Sequence, residues 1–288
     1  MPKVSRSENN GIAFTAESIK MKLFRKPIED AFFLDKLKRF AIAADGVTRD
    51  WDEHVNKLFL PFFYERPSKA GMAAFIAVNS ATSALMDFQE KNEKAIRLSI
   101  EHANTKVGEL ARKLNITPKT VDYLKNDYPA TTIAIASKRD NGYLSYGFMA
   151  DSGIALFDDF GNMKFKTNDE GPNTLVFKER VWTSDSLKDK NWKMPEARKI
   201  IRSKYRNNPM EPISYGVLTG ERTALDYLKT GTIQTRKGDT LVVFTDGLES
   251  VLNSGEFALK IKEKDYESIR GICSQKVKTE GSLILIPV

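Results

Sequence analysis

The sequence is poor in cysteine and histidine. It contains one cysteine, Cys273, and two histidines, His54 and His102. A lone cysteine cannot form an intramolecular disulfide, so a disulfide-stabilised scaffold is excluded, and the chain is compatible with a reducing compartment. Both histidines fall in segments predicted to be helical, where a surface or core position is the ordinary interpretation. We therefore assign neither of them a catalytic role.

Long apolar runs and flexible linkers are also missing. The stretch "MPKVSRSENNGIAF" has no apolar segment of the kind found in secretory signals, and no run approaches the ~18 apolar residues that a membrane-spanning helix needs. We find no Pro-, Gly- or Ser-rich linker and no internal repeat. These absences predict one domain over residues 1–288 in a cytoplasmic protein without a membrane partner.

What the sequence does contain is an excess of positive charge. Lysine and arginine outnumber aspartate and glutamate by 45 to 38, which gives a formal net charge of +7. Lys and Arg neutralise phosphates, so nucleic acid has to be considered as a partner. The basic residues are scattered, and one mild cluster comprises Arg198, Lys199, Arg202, Lys204 and Arg206. This cluster fits either a solvated helix face or attraction to a phosphorylated protein substrate.

Apolar patterning predicts strands in the first half of the chain, interrupted by a helical block. Residues 31–46 predict a hairpin. Helices are predicted over residues 52–67 and over 73–114, the second with a break inside it. Residues 131–165 then predict short strands joined by the turn sequences "RDNGY" and "FDDFGN".

The second half begins with its least regular part, residues 167–237, which we interpret as a flap containing a basic helix near 195–206. A strand ending at Asp246, a helix over 265–277 and the last strand "SLILIPV" follow. Strands, helices, strands and a final helix and strand indicate an α+β fold in which helices cover one face of each sheet.

Acidic residues stand at the ends of predicted strands. "FAIAADG" ends on Asp45, "LVVFTDG" on Asp246 and "YLSYGFMADSG" on Asp151, while Glu29 and Asp30 precede the strand before Asp45. A buried strand that stops on aspartate brings the carboxylate to the sheet edge, and a following glycine lets the backbone approach a ligand. A single Asp-Gly indicates only a turn. The set predicts five acidic side chains at one rim.

Converging carboxylates repel one another, so such a rim requires a cation or raised pKa values. We expect no lysine or histidine among Glu29, Asp30 and Asp45 to neutralise them. Carboxylate oxygens suit Mg²⁺ or Mn²⁺. Two such ions roughly 3.5–4 Å apart can bind a phosphoryl group and lower the pKa of a bridging water. The sequence therefore predicts a centre of two Mn²⁺ or Mg²⁺ ions.

The motifs resemble, in order, those of metal-dependent protein phosphatases of the phosphatase 2C type, a family that includes bacterial stage II sporulation phosphatases. The matching stretches cover nearly the whole chain and are "RKPIEDAF", "FAIAADG", "YPATTIAIA", "MADSGIALF", "GDTLVVFTDGL" and "TEGSLILI". This resemblance implies a four-layer αββα sandwich, in which two antiparallel sheets are flanked by helices. It also implies hydrolysis of phosphoserine and phosphothreonine in a phosphorylated protein substrate.

The resemblance implies roles for the metal ligands. Asp45 would bridge both ions, and the carbonyl of Gly46 would bind one of them. Asp246 would ligate the other ion, while Glu29 and Asp30 would hold waters on the metals.

Two further residues have implied roles. Arg25, four residues before Glu29, would grip the substrate phosphate with its guanidinium fork. Asp151 would support a third, weaker metal site or serve the structure.

Two departures from the family pattern affect the expected activity. Val47 stands where many members have a histidine proposed as general acid, a group that typically contributes ~10²–10⁴-fold. Thr279 stands three residues before Ser282, where the family usually has a metal-binding aspartate, and the adjacent Glu280 could substitute for it. The alternative function is therefore a catalytically weak or dead pseudophosphatase that acts as a binding module.

Residues 107–126 suggest an alternative function of a different kind. Their sequence, "VGELARKLNITPKTVDYLKN", looks like a helix-turn-helix. Thr117 as a cap and Pro118 in the first turn would begin the second helix. This pattern suits a DNA-binding regulator. However, the candidate recognition helix has only Lys119 and Lys125 as basic residues, so DNA binding is the less favoured reading.

Overall fold

The computed structural model describes residues 5–6, 11–24, 26–47, 67–117, 119–123, 128–190 and 194–288. Element labels below refer to these residues only. The strands are β1 (Ser5–Arg6), β2 (Ile12–Glu17), β3 (Ala31–Leu34), β4 (Phe40–Ala44), β5 (Ile133–Lys138), β6 (Tyr143–Met149), β7 (Gly153–Phe157), β8 (Met163–Lys166), β9 (Lys229–Gln234), β10 (Thr240–Phe244) and β11 (Glu280–Pro287).

The α-helices are α1 (Ile19–Phe24), α2 (Lys69–Asp87), α3 (Glu93–Lys113), α4 (Leu175–Arg180), α5 (Pro195–Lys204), α6 (Glu249–Leu252), α7 (Gly255–Glu263) and α8 (Tyr266–Lys276). Two 3₁₀ segments cover Arg222–Tyr227 and Asp246–Leu248.

The described strands form two antiparallel sheets. One has the order β1-β2-β11-β10-β7-β8 and the other has the order β3-β4-β5-β6-β9. Helices α2 and α3 pack on the outer face of the five-stranded sheet, and α7 and α8 pack on the outer face of the six-stranded sheet. The two sheets pack face to face through a third apolar cluster. This four-layer αββα arrangement confirms the α+β prediction.

The period-2 alternation of the central strands produces these layers. In β4, Phe40, Ile42 and Ala44 belong to the cluster beneath α2 and α3, whereas Ala41 and Ala43 face the other sheet. In β10, Val242 and Phe244 face α7 and α8, and Leu241 and Val243 face the other sheet. Both strands are buried along their length, so the first acidic side chains at the rim come one residue after β4, at Asp45, and two residues after β10, at Asp246.

The break predicted inside residues 73–114 lies between α2 and α3, at residues 88–92. Each helix begins with a side-chain cap. The hydroxyl of Ser68 accepts a hydrogen bond from the N–H of Gly71 at 3.0 Å, and the amide oxygen of Asn92 accepts one from Ala95 at 3.0 Å. These caps satisfy backbone donors that a helix start leaves unpaired.

The helix-turn-helix prediction is wrong where it can be checked. Helix α3 ends at Lys113, and residues 119–123 form turns instead of a second helix. The hydroxyl of Thr120 donates to the carbonyl of Asn115 at 2.9 Å and accepts from the N–H of Thr117 at 2.9 Å, so it closes a local turn. Pro118 and Lys125 lie outside the described residues, as does most of the helix predicted over 52–67.

The segment 167–237 is more ordered than its sequence suggests. Helices α4 and α5 share an apolar cluster that includes Phe177, Ile201 and Tyr205. The segment also contains the edge strand β9, which pairs with β6. The sequence "KTGTIQ" of β9 gives little apolar signal because an exposed edge strand buries few side chains. The role of this segment as a flap remains a prediction.

The basic cluster near 195–206 is not a uniformly solvated face. Arg202 and Arg206 are 4% and 5% exposed. The guanidinium of Arg206 lies 5.4 Å from the ring centroid of Tyr123 and 5.8 Å from that of Tyr128, a stacking arrangement that stabilises the fold. Two of the five cations are therefore structural, and the cluster is a weaker attractor for acidic partners than its composition indicates.

Neither a membrane-spanning helix nor a reactive cysteine is found among the described residues. Within the described part of the chain, no helix has the length and apolarity required to span a membrane. Cys273 is fully buried in α8, and burial raises the pKa of its thiol to about 12. The thiol therefore serves as a small apolar core group.

Gly247 allows a close approach that a larger residue would prevent. A Cβ at this position would overlap the carbonyl oxygen of Glu280, which is fixed in the backbone of β11. We predict that Gly247→Ala lowers the free energy of unfolding by about 1–3 kcal/mol, measured by urea denaturation, because the strand and the 3₁₀ segment must move apart.

The control for this prediction is Gly271→Ala in α8. Gly271 is exposed, and a Cβ there would have no atom within 4 Å. We expect a gain of up to ~1 kcal/mol from helix propensity. Equal effects of the two substitutions would contradict the steric argument.

Candidate metal centre

Strand pairing brings the predicted acidic residues to one rim. Asp30 precedes β3 and Asp45 follows β4, and the register pairs Ala31 with Ala44, so the two aspartates lie opposite each other at the same end. On the facing sheet, Asp246 follows β10 and Glu280 begins β11. The pairing of Phe244 with Leu283 brings these ends together.

Three carboxylates form the centre of this rim. Asp30, Asp45 and Glu280 each offer one oxygen, and the three oxygens lie within 4.8 Å of one another. The Thr245 hydroxyl donates to Asp30 Oδ2 at 2.8 Å, and the Glu29 N–H donates to Glu280 Oε2 at 2.9 Å. Such a group of hard oxygen donors is chemically suited to a divalent cation.

Hydroxyl groups fix the backbone at Asp45. Its carbonyl accepts from the Thr131 hydroxyl at 2.7 Å and from the Thr132 N–H at 2.9 Å. Its N–H donates to the Thr132 hydroxyl at 3.3 Å. The Thr132 and Ser152 hydroxyls are 2.5 Å apart. The two threonines of "YPATTIAIA" therefore position Asp45, a role that the sequence motif alone did not assign to either residue.

Gly46 is required by close packing. A Cβ there would lie 2.6 Å from the carbonyl oxygen of Ala70 and 2.9 Å from that of Glu29. The Gly46 N–H also donates to the Glu29 carbonyl at 3.2 Å. Gly46 thus joins the start of α2 to the segment that precedes β3.

Val47 occupies an apolar environment. It is partly buried against the cluster of α4 and α5, and its N–H donates to the Ala130 carbonyl at 2.9 Å. A side chain at this position is held among apolar groups, and valine cannot transfer a proton. Val47 therefore contributes packing where the related pattern has a histidine.

Asp246 and Asp151 lie close enough to influence the centre. Their charges are among the causes that raise the pKa of Asp45. Asp151 also approaches a carboxylate that the sequence did not reveal. A Cβ on Gly171 would lie 3.5 Å from Asp151 Oδ2 and 3.0 Å from an oxygen of Asp169. Asp169 follows β8 in a segment without a strand-ending Asp-Gly, so no motif marked it.

Thr279 and Glu280 occupy different environments in the structure: one is exposed and the other is buried. The Thr279 side chain is exposed, and its carbonyl accepts a hydrogen bond from the Ser18 N–H at 2.7 Å. Glu280 is 6% exposed, with its carboxylate in the centre. Glu29, 3% exposed, lies beside Glu280.

The expectation that no lysine lies among the acidic residues is wrong. Lys26 Nζ lies 3.7 Å from Glu29 Oε2 and 4.0 Å from Glu280 Oε1. The sequence pattern missed Lys26 because it precedes the strand in an irregular segment, where side-chain direction cannot be derived from strand alternation. Of the remaining predictions, Arg25 and His54 lie outside the described residues, and His102 is exposed on α3.

Burial and mutual repulsion raise the pKa values of the centre. Burial raises the pKa of Asp30, and burial with the charges of Asp30, Asp246 and Asp151 raises the pKa of Asp45 well above its usual range. Burial and the charge of Asp246 act in the same direction on the pKa of Asp151. These shifts measure how unfavourable the ionised carboxylates are in one place.

The pKa values of two further groups are raised into the neutral range. Burial and the charge of Asp30 raise the pKa of Glu280 to about 8. Asp246 is exposed as a residue, but its carboxyl lies close enough to Asp30 and Asp169 for their charges to act on it. The loss of water there and the charge of Asp30 raise its pKa to about 6.

Two oxygens at the rim indicate that a cation fits it. Asp30 Oδ1 and Asp151 Oδ1 are buried, and neither accepts a hydrogen bond from any residue that the structure describes. A buried oxygen without a donor carries a desolvation cost of about 1–3 kcal/mol, and more when it is charged. A divalent cation would satisfy both the charge and the unused lone pairs.

The raised pKa values predict the pH dependence of stability in the absence of metal. The folded carboxyls bind protons more tightly than the unfolded ones, so the free energy of unfolding falls as pH rises. The loss begins above the unfolded pKa of about 4 and continues through the folded values of about 6 for Asp246 and about 8 for Glu280. Urea denaturation with chelator, repeated across this range, measures it.

Glu280→Gln is the matched variant for this measurement. Because it removes the group with the pKa near 8, we expect it to reduce the fall in stability from about pH 4.5 upward, most clearly above pH 6, and to leave the contribution of Asp246 below pH 6 in place. A profile that is flat in the original chain, or unchanged in the variant, would contradict the assignment.

Comparison with known proteins shows similarity at the level of structure. No protein-family model matches the sequence, and the search of curated proteins likewise finds no match. The fold is similar to that of the Mycobacterium tuberculosis serine/threonine phosphatase PstP/Ppp, with a TM-score of 0.60 and 14% identity over 99% of both chains.

Two metal-containing structures are also similar. The catalytic domain of PstP in complex with two manganese ions matches with a TM-score of 0.59 and 14% identity over 96% of both chains. RsbX in complex with magnesium matches with a TM-score of 0.53 and 14% identity, over 99% of this chain and 98% of that one. The chain therefore has the fold of PPM-type serine/threonine phosphatases, as its motifs predict.

Proposed function

We propose that this chain is a metal-dependent serine/threonine protein phosphatase of the PPM family. The observation that carries the proposal is the convergence of Asp30, Asp45 and Glu280 within 4.8 Å at the rim of a PPM-type fold. The unpaired buried oxygens of Asp30 and Asp151 support it, because they are the atoms that a cation would complete.

The side chains divide into direct ligands and supporting groups. Asp45 and the Gly46 carbonyl would help to hold two Mn²⁺ or Mg²⁺ ions. Asp246 would hold the second ion, and Glu280 would replace the aspartate that Thr279 cannot supply. Glu29 and Asp30 would orient waters.

Asp151 would contribute to a third, weaker site. Asp169 is close enough to share this role, since both carboxylates lie beside Gly171.

When bound, such ions supply Lewis-acid chemistry: they lower the pKa of a water towards neutrality and stabilise charge on the phosphoryl group. The chain's own contribution is orientation. Thr131 and Thr132 hold the backbone of Asp45, and Thr245 holds Asp30, so the oxygens are positioned before substrate binds. Arg25 would pair with two phosphoryl oxygens of a phosphoserine or phosphothreonine substrate.

Protonation of the leaving hydroxyl does not fall to residue 47. Val47 is packed among apolar groups, and in the described residues no histidine lies at the rim. The proton would come from water or from another side chain. The proposed enzyme is therefore slower than one with a placed general acid, by up to ~10²–10⁴-fold.

A second candidate function is a pseudophosphatase that binds a phosphorylated protein without turnover. Lys26 favours it, because an ammonium group within 4.0 Å of Glu280 repels a divalent cation at that side of the centre. The two functions differ in one measurable property, which is turnover in the presence of metal.

We predict metal-dependent release of phosphate from a phosphothreonine peptide and from a generic phosphate ester. With Mn²⁺ or Mg²⁺ the purified chain should turn over both substrates, and chelator should abolish turnover. Asp246→Asn should reduce kcat/KM about 100-fold or more, because even groups that only support a metal ligand are typically worth 10–100-fold. Asp185→Asn is the control, since Asp185 is fully exposed.

Absence of turnover with either ion, in a chain that still binds Mn²⁺, would select the pseudophosphatase. Turnover that is insensitive to chelator, or equal in the two variants, would contradict the proposed centre.

Lys26 gives a further prediction about metal affinity. Removal of a positive charge about 4 Å from a ligand oxygen is worth at least ~1 kcal/mol even in water. Lys26→Met should therefore bind Mn²⁺ at least about fivefold more tightly than the original chain, measured by isothermal titration calorimetry.

Lys26→Arg keeps the charge and should leave the affinity close to its original value. If Lys26→Met binds Mn²⁺ more weakly, then Lys26 holds Glu29 and Glu280 in place instead of opposing the cation.

A further inference from the structure

A basic pocket lies at the end of the five-stranded sheet remote from the carboxylates. It has a volume of about 280 Å³ and is formed by the β3–β4 turn, the α2–α3 loop and the β5–β6 hairpin. Its charged lining consists of Arg39, Lys91, Lys138, Arg139, Glu90 and Asp140. The cations outnumber the anions by two, and the two anions are exposed, so water screens them more than it screens the partly buried lysines.

Backbone carbonyls, and not carboxylates, hold the two lysines of the pocket. Lys91 Nζ donates to the carbonyl of Phe88 at 2.8 Å, and Lys138 Nζ donates to the carbonyl of Pro287 at 2.5 Å. These bonds fix the ammonium groups without neutralising them. Among the residues that the structure describes, no acidic side chain lies within salt-bridge distance of Lys91, Lys138 or Arg139.

The nearest buried carboxylate, Asp35, is committed to Arg39. Arg39 Nε donates to Asp35 Oδ2 at 2.8 Å, and its terminal nitrogen donates to Oδ1 at 3.2 Å. The Arg39 N–H also donates to Oδ2 at 3.1 Å. This bidentate geometry orients the guanidinium in a fixed direction. Asp35 therefore fixes Arg39 in the pocket wall, and its charge offsets the crowding at Lys91 only in part, since the pKa of Lys91 is still lowered.

The positive charges are crowded. Burial and the charge of Arg39 lower the pKa of Lys91, and burial and the charge of Lys38 lower the pKa of Lys138. Residues 89–91 also lead directly into the N-cap of α3, Asn92, and a helix of 21 residues presents its positive end there. The positive side chains and the positive end of α3 therefore both favour an anion in the pocket.

We propose that the basic pocket binds a small molecule carrying one or two phosphate groups. Phosphate oxygens accept hydrogen bonds from ammonium and guanidinium groups and neutralise both. The volume corresponds to roughly nine water molecules at ~30 Å³ each, which suits a diphosphate and is too small for a folded partner. Gln89 and Asn141 line the same pocket and supply neutral hydrogen-bonding groups.

This site is separate from the proposed catalytic centre. Arg39 precedes β4 and Asp45 follows it, and a five-residue strand is about 17 Å long. The inference therefore does not rest on the proposed phosphatase function, and it holds for an inactive chain as well.

The test is a titration with pyrophosphate, measured by isothermal titration calorimetry. Chelator is present, and sodium chloride holds the ionic strength constant. We expect saturable binding to the original chain. The double variant Lys91→Met, Arg139→Gln should bind at least about tenfold more weakly. Orthophosphate in a second series shows whether one phosphate group is sufficient or two are required.

The control is Lys188→Met, Lys190→Gln, which removes the same charge from two exposed lysines elsewhere. It should keep the original affinity. If both double variants bound pyrophosphate equally weakly, net charge alone would explain the binding and the proposal would be wrong. An absence of saturable binding to the original chain would also overturn it.

Hydrogen exchange on the original chain is independent of any folding defect in the variants. Pyrophosphate should protect amides of residues 35–39, 88–92 and 139–142. Protection confined to the segments around Asp30, Asp45 and Asp246 would place the anion at the acidic rim and overturn the assignment.

Discussion

Repulsion among buried carboxylates is the constraint on which this end of the molecule depends. Asp30, Asp45 and Glu280 meet within 4.8 Å, and the two sheets cannot pack at this rim unless that repulsion is balanced. The Thr245 hydroxyl, which donates to Asp30, balances part of it, and Lys26 balances another part. Protons on the carboxyls would complete the balance in a metal-free chain, whereas divalent cations would replace them in a loaded one. The same geometry therefore favours metal binding and costs stability without it.

Much of the fold followed from sequence because β4 and β10 alternate between two apolar layers, so that strand ends and their aspartates could be located. The rim residues on regular strands were accessible in this way. Lys26 and Asp169 were not, because they lie in irregular segments where no periodicity fixes side-chain direction. Strand β9 was missed because an exposed edge strand needs no apolar alternation. The second helix of residues 107–126 was predicted from a cap and a proline, but local hydrogen bonds of Thr120 favour a turn instead.

The two ends of the five-stranded sheet carry opposite charge. Strand β4 runs between them. Arg39 precedes the strand and Asp45 follows it, so both charged residues lie just outside its buried length. A strand of alanine and other apolar residues supports both ends, because it anchors each turn without placing charge in the core. The net charge of +7 does not show that positive charge collects at one end of this sheet and negative charge at the other.

The packing of Val47 has a consequence for how the chain can change over evolution. Its side chain rests on the apolar cluster of α4 and α5, one residue after Gly46 and two after Asp45. A volume change in that cluster is transmitted to the backbone of the acidic rim, because close-packed interiors transmit strain. Substitutions that adapt residues 175–205 to a new partner must therefore be accompanied by compensating substitutions at position 47. In related sequences this position should covary with the helices that cover it.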